Sequence, residues 1–209
     1  MNRGPFIFIG VLIIVSLSWA ITLVKPIQEG GNLSPVGKGA DRVPALLAGL
    51  AEQGREVYQE QGCVNCHTQQ TLVIGSDLER GWGDRQSMPL DYIDQNVVFT
   101  GTNRVGPDLA NVGERRTDAD WHYLHFFNPQ IVTPGSNMPP FTFLFEKRKI
   151  VGQSSDRALK LPAEFQDTIE EGYEYVPTRD ADALVAYMLG LSQAYDIEEA
   201  PTPEKLAYK

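Results

Sequence analysis

The chain has 209 residues, a formal net charge of -9, 19 glycines, 14 prolines and only two cysteines. Its acidic balance argues against a nucleic-acid partner, because displacing counterions from phosphates requires an excess of Lys and Arg. With the apolar N-terminus set aside, the remaining length suits one modest domain with a core of its own.

From Phe6 to Val24 the sequence carries no charge. At about 1.5 Å rise per residue such a run spans a hydrocarbon core of roughly 30 Å. A cleaved signal peptide would have a shorter apolar region and a small-residue cleavage site. Here Trp19 lies between the small residues Ser18 and Ala20, so residues 1–24 read as an uncleaved transmembrane anchor embedded in lipid. Arg3 and the α-amino group precede the span, and the positive-inside rule then predicts a single-pass protein of the cell (inner) membrane with a cytoplasmic N-terminus. Everything after Lys25 is expected outside the cytoplasm, in a periplasmic or equivalent space. That space is oxidising, so two bare cysteines there need an explanation for staying unpaired.

Residues 25–47 mix Gly, Pro and isolated charges and read as a linker. The folded domain is predicted over 48–193. Its first helix follows from Leu46, Leu47, Leu50, Val57 and Tyr58 on one side, interrupted by Gly49 and Gly54. Between Thr68 and Val105 the pattern is irregular, with Gly75, Gly81, Gly83, Pro89 and Gly101, and a long loop of this kind usually wraps something or carries function. Thr117 with Asp120 three residues later predicts a helix start, with Trp121, Leu124, His125 and Asn128 on one side. A closing helix follows Pro177, where Asp180 and Asp182 suit the positive helix end and Ala181, Leu184, Val185, Met188 and Leu191 form an apolar stripe. Residues 194–209 read as an acidic tail.

The cysteines lie in QGCVNCHTQQ, as Cys63 and Cys66 with His67 directly behind. C-x-x-C-H is the attachment signature of c-type haem. Two thiols three positions apart can reach the two vinyl groups on one edge of a porphyrin, and the next residue offers an imidazole to the iron. Structural zinc would need a fourth ligand from His122, His125 or a carboxylate. A thioredoxin-like dithiol would be expected beside a βαβ pattern, which the sequence lacks. Cys63 and Cys66 are therefore the predicted anchors of one covalent haem c, and His67 a ligand of its iron.

The second axial ligand decides between an open site and a closed electron-transfer site. Met138 lies in GSNMPPF, where two prolines stiffen the chain after the sulfur, and a Met/His pair raises the reduction potential. Met88 also precedes a proline, Met188 sits on the apolar stripe of the closing helix, and His122 and His125 are further candidates whose bland reading is buried, hydrogen-bonded histidines. Pro107, in RVGPDLANVG, offers a carbonyl that could accept from the outer ring nitrogen of His67 and fix its tautomer. Arg104, Arg115 and Arg116 are candidate partners for haem propionates.

Taken in order, CVNCH, GPDL, NMPP and the closing helix resemble a class I cytochrome c domain, which implies a mainly α fold wrapped around one covalently bound haem, with its first and last helices crossing near Gly54, Tyr58, Leu184 and Tyr187. An N-terminal transmembrane helix followed by CVNCH and RVGPDLANVGERRTDADWHYLHFFNPQIVTPGSNMPPF is similar to the monohaem cytochrome c subunit of cbb3-type cytochrome c oxidases. That resemblance implies partners in the haem-copper catalytic subunit and other membrane subunits, with a soluble or membrane-bound cytochrome c as donor. The chain departs from the pattern in a charged insertion at about 142–176 and in the segment after CVNCHTQQ, which leaves a stand-alone membrane-anchored shuttle, a subunit of a quinol-oxidising complex, and a haem peroxidase or gas sensor as alternatives.

Overall fold

The computed structural model describes residues 3–37, 39–73 and 77–197. Gly75 and residues 198–209 of the acidic tail, both addressed in the sequence reading, lie outside the described residues. Two compact units emerge. One takes the described residues up to Pro44 together with Pro89–Gln95, and the other runs from Ala45 to Met88 and from Asn96 onward.

In the first unit, α1 (Gly4–Trp19), a π-helical stretch (Ala20–Val24) and α2 (Lys25–Gly31) form one continuous helix. Among the described residues it is the one helix long and apolar enough to cross a membrane. None of its side chains is buried by protein. The wider π turn lies directly before Pro26, whose ring would strike the carbonyl four residues back in regular α geometry. The helix therefore runs on past Val24, where the sequence predicts a linker. Backbone bonds of 2.9 and 2.7 Å between Val36 and Val43 give residues 25–47 further local order. Within the same unit, Arg42 pairs with Asp94 at 2.7 Å.

The second unit is built around α3 (Gly49–Glu60) and α6 (Arg179–Gly190). The predicted start of α3 at Leu46 shifts to Gly49, because Ala48 is still extended. Gly54 lets the two helices touch backbone to backbone: a Cβ there would lie 1.8 Å from the Ala183 carbonyl oxygen and 2.8 Å from Tyr187 Cβ. Tyr58 packs edge-on against Tyr187 with ring centroids 5.6 Å apart, so the predicted crossing is observed. The Thr178 hydroxyl caps α6 by accepting from Ala181 N–H, and Leu184, Val185 and Met188 fill the core behind it. Between them come α4 (Val112–Arg115) and α5 (Ala119–Phe127). The cap of α5 is Asp118, which accepts from Asp120 N–H, and the predicted Thr117 lies one residue further out. Aspartate reaches the second backbone N–H of the helix directly, so no capping box is needed.

The charged insertion carries regular structure. Its ends pair as β1 (Phe145–Lys149) and β2 (Tyr173–Pro177), antiparallel, with Phe145 opposite Pro177 and Lys149 opposite Tyr173. Four of the five β1 residues are exposed, but Leu144, Phe145 and Leu161 join the core of α3, α5 and α6, and Val176 is buried on β2. Phe127 sits between Phe145 and Tyr175, with centroids at 5.3 and 4.8 Å. The covered Glu174 carboxylate accepts from the Ser154 hydroxyl (2.6 Å), Ser155 N–H (2.8 Å) and Arg148 (3.0 Å), and these bonds hold it below its ordinary pKa. A mainly α unit thus carries one two-stranded sheet.

Gly54→Ala should destabilise the second unit by about 2 kcal/mol or more, since the added methyl meets a helix backbone that cannot rotate away. A denaturant titration of the purified protein beside the wild type measures this, and equal midpoints would show that the crossing tolerates side-chain bulk.

Candidate functional site

The end of α3 delivers both cysteines on one turn. Gly62 adopts the left-handed region (φ 70°), which only glycine enters without a Cβ penalty, and the chain then winds into a 3-10 turn at Cys63–Asn65. Cys66 N–H and His67 N–H both donate to the Cys63 carbonyl, at 3.1 and 3.0 Å. The thiols are free, with Cys63 half-buried and Cys66 exposed. Burial pushes the Cys63 thiol pKa up to about 11. Among the described residues no group of three or more His, Cys, Asp or Glu side chains could hold a metal ion. Among those described residues no further side chain completes a zinc site around Cys63, Cys66 and His67.

His67 is clamped from two sides. Its Nδ1 lies 2.8 Å from the Pro107 carbonyl oxygen, and a carbonyl can only accept, so Nδ1 carries the proton and Nε2 keeps its lone pair. Burial lowers the His67 pKa, which keeps the ring neutral and suited to ligate. Gly106 lies flat against the ring: a Cβ there would come within 2.2 Å of His67 Cε1.

Backbone and side-chain bonds lace the segment 66–70 to 106–110. Gly106 N–H donates to the Cys66 carbonyl (2.9 Å) and Leu109 N–H to the Thr68 carbonyl (2.7 Å). Asp108, fully buried, accepts from the Thr68 hydroxyl (2.6 Å), Gln70 N–H (2.7 Å) and Ala110 N–H (2.8 Å). Burial pushes its carboxyl pKa up, and these bonds together with Arg104 pull against that rise. Arg104 forks onto the buried Asp77 at 2.5 and 2.6 Å and reaches the Gln70 carbonyl at 2.6 Å. Its donors are thus used within the protein. Arg115 donates to the Asp108 carbonyl but keeps a buried Nε without a partner, and Arg116 lies over the Trp121 ring at 5.1 Å.

Met138 follows a built turn. Gly135 takes φ 83°, its N–H donates to Gln130 Oε1 (2.8 Å), and Met138 N–H donates to the Ser136 hydroxyl (3.2 Å). After the two prolines, Phe141 N–H donates to the Phe126 carbonyl (2.8 Å), which ties the loop to α5. Met138 and Cys63 both pack, half-buried, on the same apolar cluster. Met188 is buried inside α6 and Met88 lies half-buried in the long loop. His122 has the bland role: it is buried, with Nε2 bonded to the Arg116 carbonyl at 2.8 Å. His125 stacks on Trp121 (4.6 Å, 12°), and its buried Nδ1 has no partner. Burial pushes its pKa down to about 4, with His67, His122 and Arg116 adding to the drop.

These residues fit a haem. Two free thiols share one turn, a neutral imidazole of fixed tautomer follows, apolar side chains surround them, and Arg115 Nε and His125 Nδ1 are buried donors or acceptors without a protein partner. Sequence reasoning missed Gly106, Thr68, Asp77 and Asp108. The string VGPD contained a signal for two of them, a residue without a side chain before the proline and a carboxylate after it.

A family model described as cytochrome c oxidase, mono-heme subunit/FixO matches residues 2–163. No curated protein matches the chain.

Gly106→Ala is expected to push the His67 ring off the Pro107 carbonyl. A loss of the slowly exchanging Nδ1–H resonance in proton NMR would report it, whereas an unmoved resonance would mean that the strap shifts instead.

Proposed function

The chain belongs to the family of mono-heme subunits of cytochrome c oxidase, electron-transfer components of the cbb3-type enzyme, and from that premise we propose that Cys63 and Cys66 carry its haem through two thioethers, with His67 and Met138 as the axial ligands. The oxidase supplies its partner subunits, and the apolar helix Gly4–Gly31 suits an anchor among them. The haem, when bound, supplies a one-electron couple between ferric and ferrous iron.

The protein's own part is to hold the two axial groups still. His67 is kept in one tautomer by Pro107 and in one plane by Gly106, and Met138 follows a turn tied down by Gln130 and Ser136. Groups that are already fixed reorganise little when charge changes, which suits repeated electron transfer. A Met/His ligand pair would raise the reduction potential of the bound haem. The ligand reading is carried by one observation, the 2.8 Å bond from His67 Nδ1 to the Pro107 carbonyl, which leaves Nε2 free to bind.

Arg3, ahead of the apolar helix, supports the proposed orientation by the positive-inside rule, with the N-terminal side in the cytoplasm and the haem-bearing unit on the outer, periplasmic side of the cell membrane, with lipid around α1. We keep 48–193 as the proposed cytochrome domain, with the insertion contributing to its core, although residues Pro89–Gln95 cluster with the N-terminal unit. A net charge of -9 favours a basic soluble or membrane-bound cytochrome c as donor, with an on-rate that falls as salt rises.

Met138→Ala should keep the haem attached while lowering its potential by more than about 60 mV, a tenfold change in a one-electron equilibrium, and should let carbon monoxide bind the ferrous form. An unchanged spectrum would move the ligand to Met88 or His125. Cys66→Ala should reduce covalent haem in a pyridine haemochrome assay together with protein accumulation, and full accumulation without haem would overturn the thioether assignment.

A further inference from the structure

We propose that Asp108 is a positioning residue for His67 and that its buried carboxylate holds the reduction potential of the haem below the value His67 and Met138 would otherwise set. The inference rests on His67 being an axial ligand. The Asp108 carboxylate bonds to Thr68, Gln70 and Ala110 and makes no hydrogen bond to His67 itself.

Asp108 follows Pro107, the residue whose carbonyl meets His67 Nδ1. Its carboxylate reaches across to the segment that follows His67 in the chain, Oδ2 taking the Thr68 hydroxyl and Gln70 N–H, while Oδ1 turns back to Ala110 N–H. The imidazole is thus attached at both ends of one closed loop of bonds, through the chain at Thr68 and through space at Pro107. If the Asp108 bonds were lost, the two segments could slide, and the Pro107 carbonyl would no longer be held against Nδ1. All three bonds are accepted by the carboxyl oxygens, and a guanidinium nitrogen of Arg104 lies 3.8 Å away, so the surroundings are arranged for the ionised form.

Charge acts in the same direction as position. The Asp108 side chain is fully buried and its field reaches the His67 ring. A negative charge in a poorly screened interior favours the ferric state, which carries one more positive charge than the ferrous state. Arg104 opposes this. It stands between Asp108 and Asp77, another buried carboxylate, which it grips at 2.5 and 2.6 Å. Removing the anion and removing the cation should therefore move the potential in opposite directions. Simple loosening of the fold would not produce two shifts of opposite sign.

The test uses the full-length, haem-loaded protein in its purified membrane complex. Asp108→Asn keeps the shape but loses the charge and sets an NH₂ group against donors; its midpoint potential should move to a more positive value, with an unchanged low-spin spectrum and unchanged haem content. Arg104→Gln should move it to a more negative value, and because Arg104 is 29% exposed, solvent can take over part of its role. If Asp108→Asn does not accumulate, Asp108→Ser, which also removes the charge but keeps a hydroxyl acceptor, takes its place beside Arg104→Gln. Wild-type potentials in variants that keep the low-spin spectrum would overturn the proposal and leave His67 ligation standing. A His67→Ala protein that retained that spectrum would instead overturn the ligation itself.

Discussion

A single carbonyl governs the chemistry of this site. Pro107 lacks an N–H and sits next to a glycine, so its oxygen can approach the His67 ring at 2.8 Å while Gly106 leaves room for the ring itself. That contact decides which imidazole nitrogen keeps its lone pair. The surrounding hydrogen bonds serve to keep it in place: Gly106 and Leu109 to the backbone at Cys66 and Thr68, and Asp108 to Thr68 and Gln70. These groups are mostly buried, where an unmade bond costs far more than at the surface. The segments 66–70 and 106–110 therefore behave as one element, although forty residues separate Thr68 from Asp108.

The larger fold positions that element through close helix contact. Gly54 allows α3 to lie on the backbone of α6, and the C-terminal end of α3 then presents the turn bearing Cys63 and Cys66. The chain after α6 returns to the same region. Gly113 N–H donates to the Leu191 carbonyl (3.0 Å), Gln193 N–H to Asn111 Oδ1 (2.7 Å), and the Ser87 hydroxyl to Gln193 Oε1 (2.6 Å). The irregular loop after the cysteines is thereby fastened by polar bonds to the chain beyond α6, while its Phe99 packs on Tyr58 in the core. The family match ends at residue 163, inside the insertion, while β2 and α6 lie beyond it. Those later elements nevertheless complete the core on which Cys63 and Met138 pack.

A membrane subunit that passes electrons needs a rigid interior and a tethered position. The insertion contributes to the first requirement by covering Phe127 with Phe145 and Tyr175, and its charged strand faces solvent. The continuous helix Gly4–Gly31 meets the second, and its π turn accommodates Pro26 without ending the span. Burial of the two titratable imidazoles His122 and His125 keeps both neutral near pH 7, so neither adds positive charge beside His67.

Local pattern was enough for the features that depend on near neighbours. The apolar run after Phe6, the C-x-x-C-H turn, the helical stripe at Leu184, Val185 and Met188, and the Gly-Pro turn at Pro107 each declare themselves within a few residues, because periodicity, ring geometry and missing N–H groups are properties of short segments. Three things escaped such reading. The pairing of β1 with β2 brings together strands more than twenty residues apart, and the exposed β1 residues hide the apolar ends that dock it. The partnership of Arg104 with Asp77 required the long loop to fold back, so an arginine that suits a propionate in the sequence is committed to an aspartate in the fold. Asp108 drew no role in the sequence, and only the tertiary structure lays Thr68 and Gln70 across it, since the energy of a buried carboxylate depends on donors that the linear order does not bring near.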